Sequence, residues 1–366
     1  MSEVFFTDFR TSRPDQSQLS KLRRLIDVAG MGKIDFRNKY VAIKIHFGEP
    51  GNLAYLRPQW ARVVADYIRE RGGKPFLTDC NTLYTGRRKD ALEHLTSAEE
   101  NGYSYVTTGC RNIVADGLKG TDEALIPIGG EYVKEAKIGR ALADADIIIS
   151  LNHFKGHEAA GFGGALKNLG MGGGSRAGKM EMHSASKPAI DTSLCIRCGA
   201  CRKGCAHGAM QLGEKYAEID YDKCVGCGHC IGLCNQDAIS AEQDESTTVL
   251  SKKIAEYTKA VLQDKPAFHI SLVMDVSPKC DCWGGNDAPI VPDIGMFASF
   301  DPVALDAACA DAVLAAPVME KSAGGECRCA DKDIFTAIHP VVDWRAQLTH
   351  GEKIGLGEMK YTLKTV

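Results

Sequence analysis

Residues 195–234 read CIRCGACRKGCAHGAMQLGEKYAEIDYDKCVGCGHCIGLC. Cys195, Cys198, Cys201 and Cys205 are spaced C-x2-C-x2-C-x3-C, and the same spacing returns in Cys224, Cys227, Cys230 and Cys234. Each cysteine of the first run has a counterpart at one constant offset in the second, so the stretch is an internal repeat. Soft thiolates at this spacing suit iron–sulfur clusters. Three closely spaced cysteines wrap one corner of a cubane, and the fourth, further along the chain, reaches the other cluster. The expected ligand sets are therefore Cys195, Cys198, Cys201 and Cys234 for one 4Fe–4S cluster, and Cys205, Cys224, Cys227 and Cys230 for the other. Between them Gly199, Gly204, Gly226, Gly228 and Gly232 let the backbone bend closely around a cluster. Backbone N–H groups freed in this way donate to sulfur and help set its potential. A pair of zinc sites is the alternative, but zinc sites seldom use two interleaved runs of this type.

Outward from this stretch, on both sides, the chain alternates strands and helices. Tyr40 to Ile45 (YVAIKI) is a short β-branched run that reads as a buried strand ending at His46. A helix is expected from Arg57-Pro58 to Arg71, with Trp60, Val63, Val64, Tyr67 and Ile68 at helical spacing. Pro75 to Thr78 is a second strand ending at Asp79, and Arg88 to Asn101 a second helix. Lys137 to Ala145 reads as helix before a third strand, Ile147 to Leu151. A glycine-rich segment, His153 to Lys179, leads into the cysteine run. Beyond the run come a helix from Ser251 to Leu262, a strand from Phe268 to Met274, an alanine-rich helix from Asp301 to Ala315, and a tail of short helix and loop from Trp344 to Val366. The pattern predicts an α/β fold with a mostly parallel sheet and helices on both faces. A small α+β insert at residues 187–243 separates its two parts, 1–186 and 244–366, since insertions succeed where both ends lie close together.

Composition narrows the function classes. The chain has 366 residues and 44% hydrophobic content, enough for a large core. A net charge of −3 argues against a nucleic-acid-binding surface. There is no apolar run long enough for a membrane span, and Met1 to Arg13 lacks a signal-peptide core. Fifteen cysteines in such a chain favour a reducing cytoplasm and metal ligation over a disulfide framework.

Open parallel sheets bind ligands beyond the carboxyl ends of their strands. The first strand delivers His46 and, one alternation back, Lys44. The second delivers Asp79 and Asn81. The third delivers Asn152, His153, Lys155 and His157, and the fourth delivers Asp275, then Cys280 and Cys282. Convergence of ligand-competent residues at four strand ends predicts a second site. His46, Asp79, His153, His157 and Lys155 are its candidate catalytic residues, and Lys44, Asn81, Lys167 and Arg176 its candidate contacts to a small anionic substrate. His153 and His157 are spaced as on one helix face, though ordinary loop histidines fit equally. The glycine-rich segment, with Lys155, Lys167, Arg176 and Lys179, is expected to expose backbone N–H groups to an anion, or simply to let the insert leave the sheet. Cys280-x-Cys282 is a candidate extra metal or redox pair, and with Cys327-x-Cys329 could form a four-thiolate site; free thiols are the plainer reading. Cys80, Cys110 and Cys309 read as packing residues.

The stretch 195–234 resembles a bacterial two-cluster ferredoxin. In that pattern a proline follows each fourth cysteine; here Ala206 and Asn235 stand there, and ligation is expected to survive because proline is not a ligand. IKIHFGEPGN, LTDCNTLYTGRRKDALEH, HFKGHEAAGFGGALKNLGMGGGSRAGK, CDCWGGNDAPIVPDIGMFASFDPVALD and DWRAQLTHGEKIGLG together resemble the domain-of-unknown-function 362 family of iron–sulfur centre proteins. That resemblance implies architecture, since the family has no generally established reaction. His153 to Lys167 is similar to a histidine, glycine-rich and lysine segment of lactate racemase-like catalytic domains, which lies beside a nickel-bearing cofactor. Three readings stay open. The chain is a redox enzyme passing single electrons between its clusters and a molecule at the sheet edge. Or it is an electron carrier or iron–sulfur delivery protein docking a larger redox protein partner. Or it is a non-redox isomerase or lyase with structural clusters.

Overall fold

The computed structural model describes residues 1–13, 15–83, 86–183, 187–205, 207–224, 229–241, 246–327 and 332–366. Apolar runs bounded by turn residues form an eight-stranded sheet. Its strands are β1 (Ser2–Asp8), β2 (Tyr40–Lys44), β3 (Lys74–Asp79), β4 (Arg111–Val114), β5 (Ile147–His153), β6 (Ala267–Val273), β7 (Gly295–Ser299) and β8 (Tyr361–Thr365). The order across the sheet is β8-β1-β7-β6-β5-β2-β3-β4. Only the two pairings of β7 are antiparallel; β8-β1, β6-β5, β5-β2, β2-β3 and β3-β4 all run parallel. This is the expected mostly parallel α/β sheet.

Side-chain alternation assigns the two faces. Val41, Ile43, Ile147, Ile149 and Leu151 share one apolar cluster with helices α1 (Gln18–Val28) and α2 (Pro58–Glu70). Pro58 opens α2 where its missing N–H costs nothing, and buried Trp60, Ala61, Val64, Ala65, Tyr67 and Ile68 follow at helical spacing. Ala42 and Ile148 face the opposite way, against α3 (Ala165–Gly173) and α5 (Thr247–Leu262). A third cluster joins Val273 and Phe297 to the alanine-rich α6 (Pro302–Ala315). No described helix is long and apolar enough to cross a membrane.

Several expectations change. Within 137–145 only Arg140–Asp144 is helical, because Ala136 and Ile138 point inward with a period of two and pair, in Glu135–Gly139, with Glu123–Pro127. The tail holds the helix Ala346–Lys353 and an edge strand, β8. The helix after β3 starts at Ala91, since the Asp90 carboxylate accepts the N–H groups of Leu92 and Glu93 as its cap. That cap leaves Arg88 and Lys89 outside the helix.

The glycine-rich segment is no loop. It forms a hairpin of Lys155–His157 with Gly161–Gly163, then α3, then α4 (Arg176–His183). Glycine inside a helix normally costs about 1 kcal/mol, and here close approach explains it. A Cβ at Gly170 would lie 2.1 Å from the Ile254 carbonyl oxygen of α5, and one at Gly172 would lie 2.4 Å from the Lys44 amine. The glycines let two helices cross closely and leave room for a buried lysine.

The cysteine-bearing insert leaves and rejoins the body side by side, through antiparallel strands Pro188–Ile190 and Ile239–Ala241. A second small pair, Met210–Leu212 with Ala217–Ile219, and the short helices Ala200–Gly204 and His229–Leu233 complete what is described of it. Its core gathers Cys201, Met210, Ala217, Cys230, Ile231, Cys234, Ala238 and Ile239, joined by Leu83 and Met180 of the body.

Candidate functional site

The chain builds two sites. In the insert, Cys195, Cys198, Cys201 and Cys234 line one pocket of about 340 Å3, the open space at its mouth included, together with Ile196, Ala217 and Ile239. This is the first expected ligand set, with its fourth member drawn from the second run. The Ala217 N–H donates to Cys195 Sγ at 3.4 Å and the Ala209 N–H to Cys205 Sγ at 3.3 Å. Burial pushes the Cys205 thiol up, but N–H donors from residues 207–210 outweigh it and hold the thiol below its ordinary range. Gly199 sits at φ +77°, the left-handed turn that lets the first run curl. In the second set, Cys227 lies outside the described residues, as do Gly226 and Gly228. Among the described residues no three His, Cys, Asp or Glu side chains are gathered tightly enough for a lone metal ion. The four thiols ring a volume instead of a point, which is the donor set and the space that an iron–sulfur cubane needs.

The second site lies where the sheet's connections diverge. From β2 the chain proceeds outward to β3 and β4; from β5 it proceeds the other way, to β6. Such a switch point leaves a crevice beyond the strand ends. A pocket of about 810 Å3, its mouth included, opens there. Lys44, His46, Asp79, His153, Lys155, His157 and Lys167 all line it. Seven of the nine expected edge residues thus come together. Lys179, expected to add positive charge nearby, lines it too, and sequence reasoning left out Arg88, His183 and Asp281, which also line it.

Asn81 and Arg176 do not belong to the wall. Asn81 donates to the Asp116 carboxylate at 3.0 Å and to the Gly117 carbonyl at 2.9 Å. Arg176 is fully buried and donates to the Lys89 carbonyl. Asn152 is likewise structural, bonding Ile270 O of β6 at 2.8 Å. Asp275 turns aside at φ 44°, its N–H donating to Asp293. Cys110 and Cys309 are buried packing thiols as expected, whereas Cys80 faces the pocket. Cys329 lies outside the described residues, so the four-thiolate site with Cys327 does too.

At one end of the pocket, the Lys44 amine meets Asp79 at 2.8 Å and Asn168 Oδ1 at 2.8 Å. Burial pushes Lys44 down, with Asp79 acting against it. Burial would raise Asp79, but Lys44, His46, His94 and Arg88 together hold its carboxyl well below the usual range. Arg88, only 1% exposed, donates Nε to Glu49 at 2.7 Å and stands 3.7 Å from Asp79. Its Nη2 is buried with no partner among the described residues. Burial, then Arg88, pushes His46 down to about 3. The Gly48 N–H donates to His46 Nδ1 at 3.0 Å, so this neutral ring carries its proton on Nε2.

At the other end, His153 is pinned, with Nδ1 2.8 Å from Asp281 and Nε2 2.8 Å from the Met274 carbonyl. Asp281 was not singled out by sequence; it is the residue between the two cysteines of the C-x-C. Its carboxyl would rise on burial but is held down to about 2 by His153 and Lys155. His153 and His157 sit on strands, not on one helix face. Ala159 and Ala160 N–H groups donate to His157 Nδ1 at 3.0 and 3.1 Å, leaving Nε2 as its N–H donor. The Lys167 amine lies 3.0 Å from Cys280 Sγ. Burial, then His157 and Lys167, pushes His183 down to about 3. Lysine and arginine cations outnumber carboxylates around this wall, and Leu56, Leu151, Leu250 and Ile254 supply an apolar side. Such a lining suits a small anion with an apolar portion.

Comparison with known proteins adds the following. The pattern of the family described as "Domain of unknown function (DUF362)" matches residues 41–311. The chain is 49% identical over 45 residues to a protein of the ion-translocating oxidoreductase complex of Methanosarcina acetivorans, covering 12% of this chain and only 17% of that protein. It is 37% identical over 73 residues to the PorD component of pyruvate synthase from Methanothermobacter marburgensis, covering 20% of this chain and 86% of that protein. The lactate racemase apoprotein structure from Thermoanaerobacterium thermosaccharolyticum aligns over 100% of this chain and 83% of its own length, at 13% identity and a TM-score of 0.42.

Proposed function

The chain belongs to the DUF362 family, and we propose that it is an electron-transferring iron–sulfur enzyme acting on a small anionic molecule in the strand-end pocket. Cys195, Cys198, Cys201 and Cys234 would hold one 4Fe–4S cluster, and Cys205, Cys224, Cys227 and Cys230 the other. When bound, these groups supply one electron at a time. Similarity to PorD, a short relative covered over 86% of its length, supports the ferredoxin-like assignment of the insert.

One observation carries the link between the two sites. Three stretches each place at least one side chain in the pocket and a near neighbour against the cysteine core. Thr82 lines the pocket while Leu83 packs with Cys201, Cys230 and Cys234. Arg88 lines it while the Lys89 amine bonds the Cys234 carbonyl at 3.3 Å and Asp237 at 2.7 Å. Lys179 and His183 line it while Met180, on the same helix, packs in the cysteine core. A pocket walled by the supports of the thiols supports the reading that electrons pass between them.

In this reading the Arg88 Nη2 donors, buried without a partner among the described residues, hold the anionic group, since such donors favour an acceptor; the Lys179 amine, which gives one hydrogen bond to the Gly174 carbonyl at 2.6 Å, adds its charge. Lys44 and Asp79 fix the wall. His46 offers Nε2–H to a developing negative charge, and His157 handles a proton at the far end. Pinned His153 positions Asp281. A soluble redox protein would reload the insert in a reducing compartment.

Stopped-flow mixing of dithionite-reduced, anaerobic protein with small reducible carboxylates and phosphates tests this. At least one should restore cluster absorbance, with Arg88→Met slowing it roughly tenfold or more, as loss of one charge-assisted hydrogen bond implies. If only proteins reoxidise the insert, and Arg88→Met changes nothing, the chain is a carrier.

A further inference from the structure

Cys280 and Cys282 stand apart from the ligand runs, and the roles given to the pocket so far do not use their sulfurs. They occupy the first and third positions of a turn closed by the Trp283 N–H donating to the Cys280 carbonyl at 3.1 Å. Such a turn brings the two side chains to one side, and the Cys282 N–H reaches Cys280 Sγ at 3.4 Å. Asp281 between them is locked by His153 at 2.8 Å, so the turn cannot drift. Behind the turn, the Cys280 N–H donates to Glu158 at 3.2 Å. Cys280 is 1% exposed, and Cys282 faces the pocket. The Lys167 amine, 3.0 Å from Cys280 Sγ, places a cation where a bound metal ion would repel it.

We propose that Cys280 and Cys282 form a reversible dithiol–disulfide couple in the pocket wall, a two-electron store between the one-electron clusters and the bound molecule. The proposal rests on reading the pocket as a redox site. In the reduced couple Cys280 is the thiolate and Cys282 the thiol. The S–H of Cys282, then the Lys167 and Lys155 charges and His157, favour the Cys280 thiolate against burial. The Cys282 proton is held correspondingly tightly by the neighbouring thiolate. Oxidation breaks the Cys282 S–H bond, forms one S–S bond, and releases one proton and two electrons to an acceptor in the pocket. Reduction takes up two electrons, which iron–sulfur clusters held by the insert would supply one at a time, and one proton, restoring the thiolate–thiol pair. Cys282, facing the pocket, is the sulfur a substrate meets; Cys280, held by Lys167, closes the disulfide. Lys167 stabilises only the reduced state, which makes the disulfide the stronger oxidant.

The test equilibrates anaerobic holoprotein with graded ratios of reduced to oxidised glutathione, extended at the reducing end with dithiothreitol. Each sample is acid-quenched, alkylated in denaturant and digested, and the peptide bearing both cysteines is weighed. The expected result is one reversible two-electron transition, from a doubly alkylated peptide to an unalkylated one lighter by two hydrogens. Cys282→Ser should abolish it while cluster absorbance persists. Lys167→Met should move the midpoint ratio about tenfold toward disulfide, the effect of one unit in thiol acidity; this shift decides the matter should Cys282→Ser not fold. A peptide doubly alkylated at every ratio, or one protected equally in Cys282→Ser, overturns the couple. Failure of the stopped-flow experiment with this transition intact would instead remove the substrate reading and leave the couple standing.

Discussion

The cysteine insert and the strand-end pocket concentrate charge by opposite means. Within the described residues, the insert draws its thiols from one short repeat, around a thin core of Met210, Ala217, Ile231, Ala238 and Ile239. The pocket draws its groups from segments spread between Lys44 and Cys282, resting on large apolar clusters on both sheet faces. One site therefore depends on what its ligands hold; the other is organised by the fold before anything binds. Each is accordingly vulnerable in a different place.

Iron removal should separate the two regions most visibly. Chelation is expected to speed amide exchange across 188–241 by roughly a thousandfold, because ligand binding and local folding are one process in small metal-bound domains. The amides of β2, β5 and β6 should keep their protection. Exchange followed by mass spectrometry checks this, and equal loosening of both regions would erase the distinction.

Lys44→Met attacks the other side. Leaving buried Asp79 without its 2.8 Å partner should cost about 3 kcal/mol in urea unfolding at neutral pH. Adding Asp79→Leu should recover most of that. A loss under about 1 kcal/mol, the range of an exposed pair, would show that the pocket wall is not preorganised by this pair.

Gly170→Ala is expected to cost about 2 kcal/mol, since the new methyl meets backbone at α5 and overpacking of this kind rarely relaxes. Thermal unfolding of the body reports it, with the insert's cluster spectrum unchanged.

The smallest effect is a pH slope. Burial pushes His269 down to about 3. The unfolded chain takes up its proton near pH 6.5, the folded one only near pH 3, so stability is lost as pH falls through that window. The slope is about 1.4 kcal/mol per pH unit for one such group. His46 and His183, likewise pushed down to about 3, add to the same slope, so His269→Gln should lower it by one group's share, read as urea midpoints at pH 7 and pH 5.

What was legible in the sequence follows the same divide. Ligand spacing within one stretch is a local signal, and the structure places Cys234 beside the first run. Buried strands β2, β3, β5 and β6 are legible because they are continuous apolar runs ended by polar residues. β1 and β8, at one side of the sheet, show only a mixed pattern: SEVFFTD and YTLKT are stabilised by their neighbours and not by their own composition. Lys44, His46, Asp79, His153, Lys155, His157 and Lys167 are legible as strand-end or loop polar residues. Arg88 is not, since its place depends on where the Asp90 cap starts a helix. Nor is His183, which reaches the pocket only because α4 is a helix; glycine content argued for a loop. The capping residue three positions before Glu93 was the available signal for Arg88.

Coupling between the two sites is tested most directly by an anaerobic reductive titration of the holoprotein, followed by electron paramagnetic resonance. It is run with and without a small carboxylate shown by equilibrium dialysis to fill the pocket. A shift of the insert's midpoint on filling, lost in Arg88→Met, is expected if the pocket and the thiols share one electrostatic environment. Superimposable curves with the pocket filled would mean that the molecule carries two independent sites and that electrons do not pass between them.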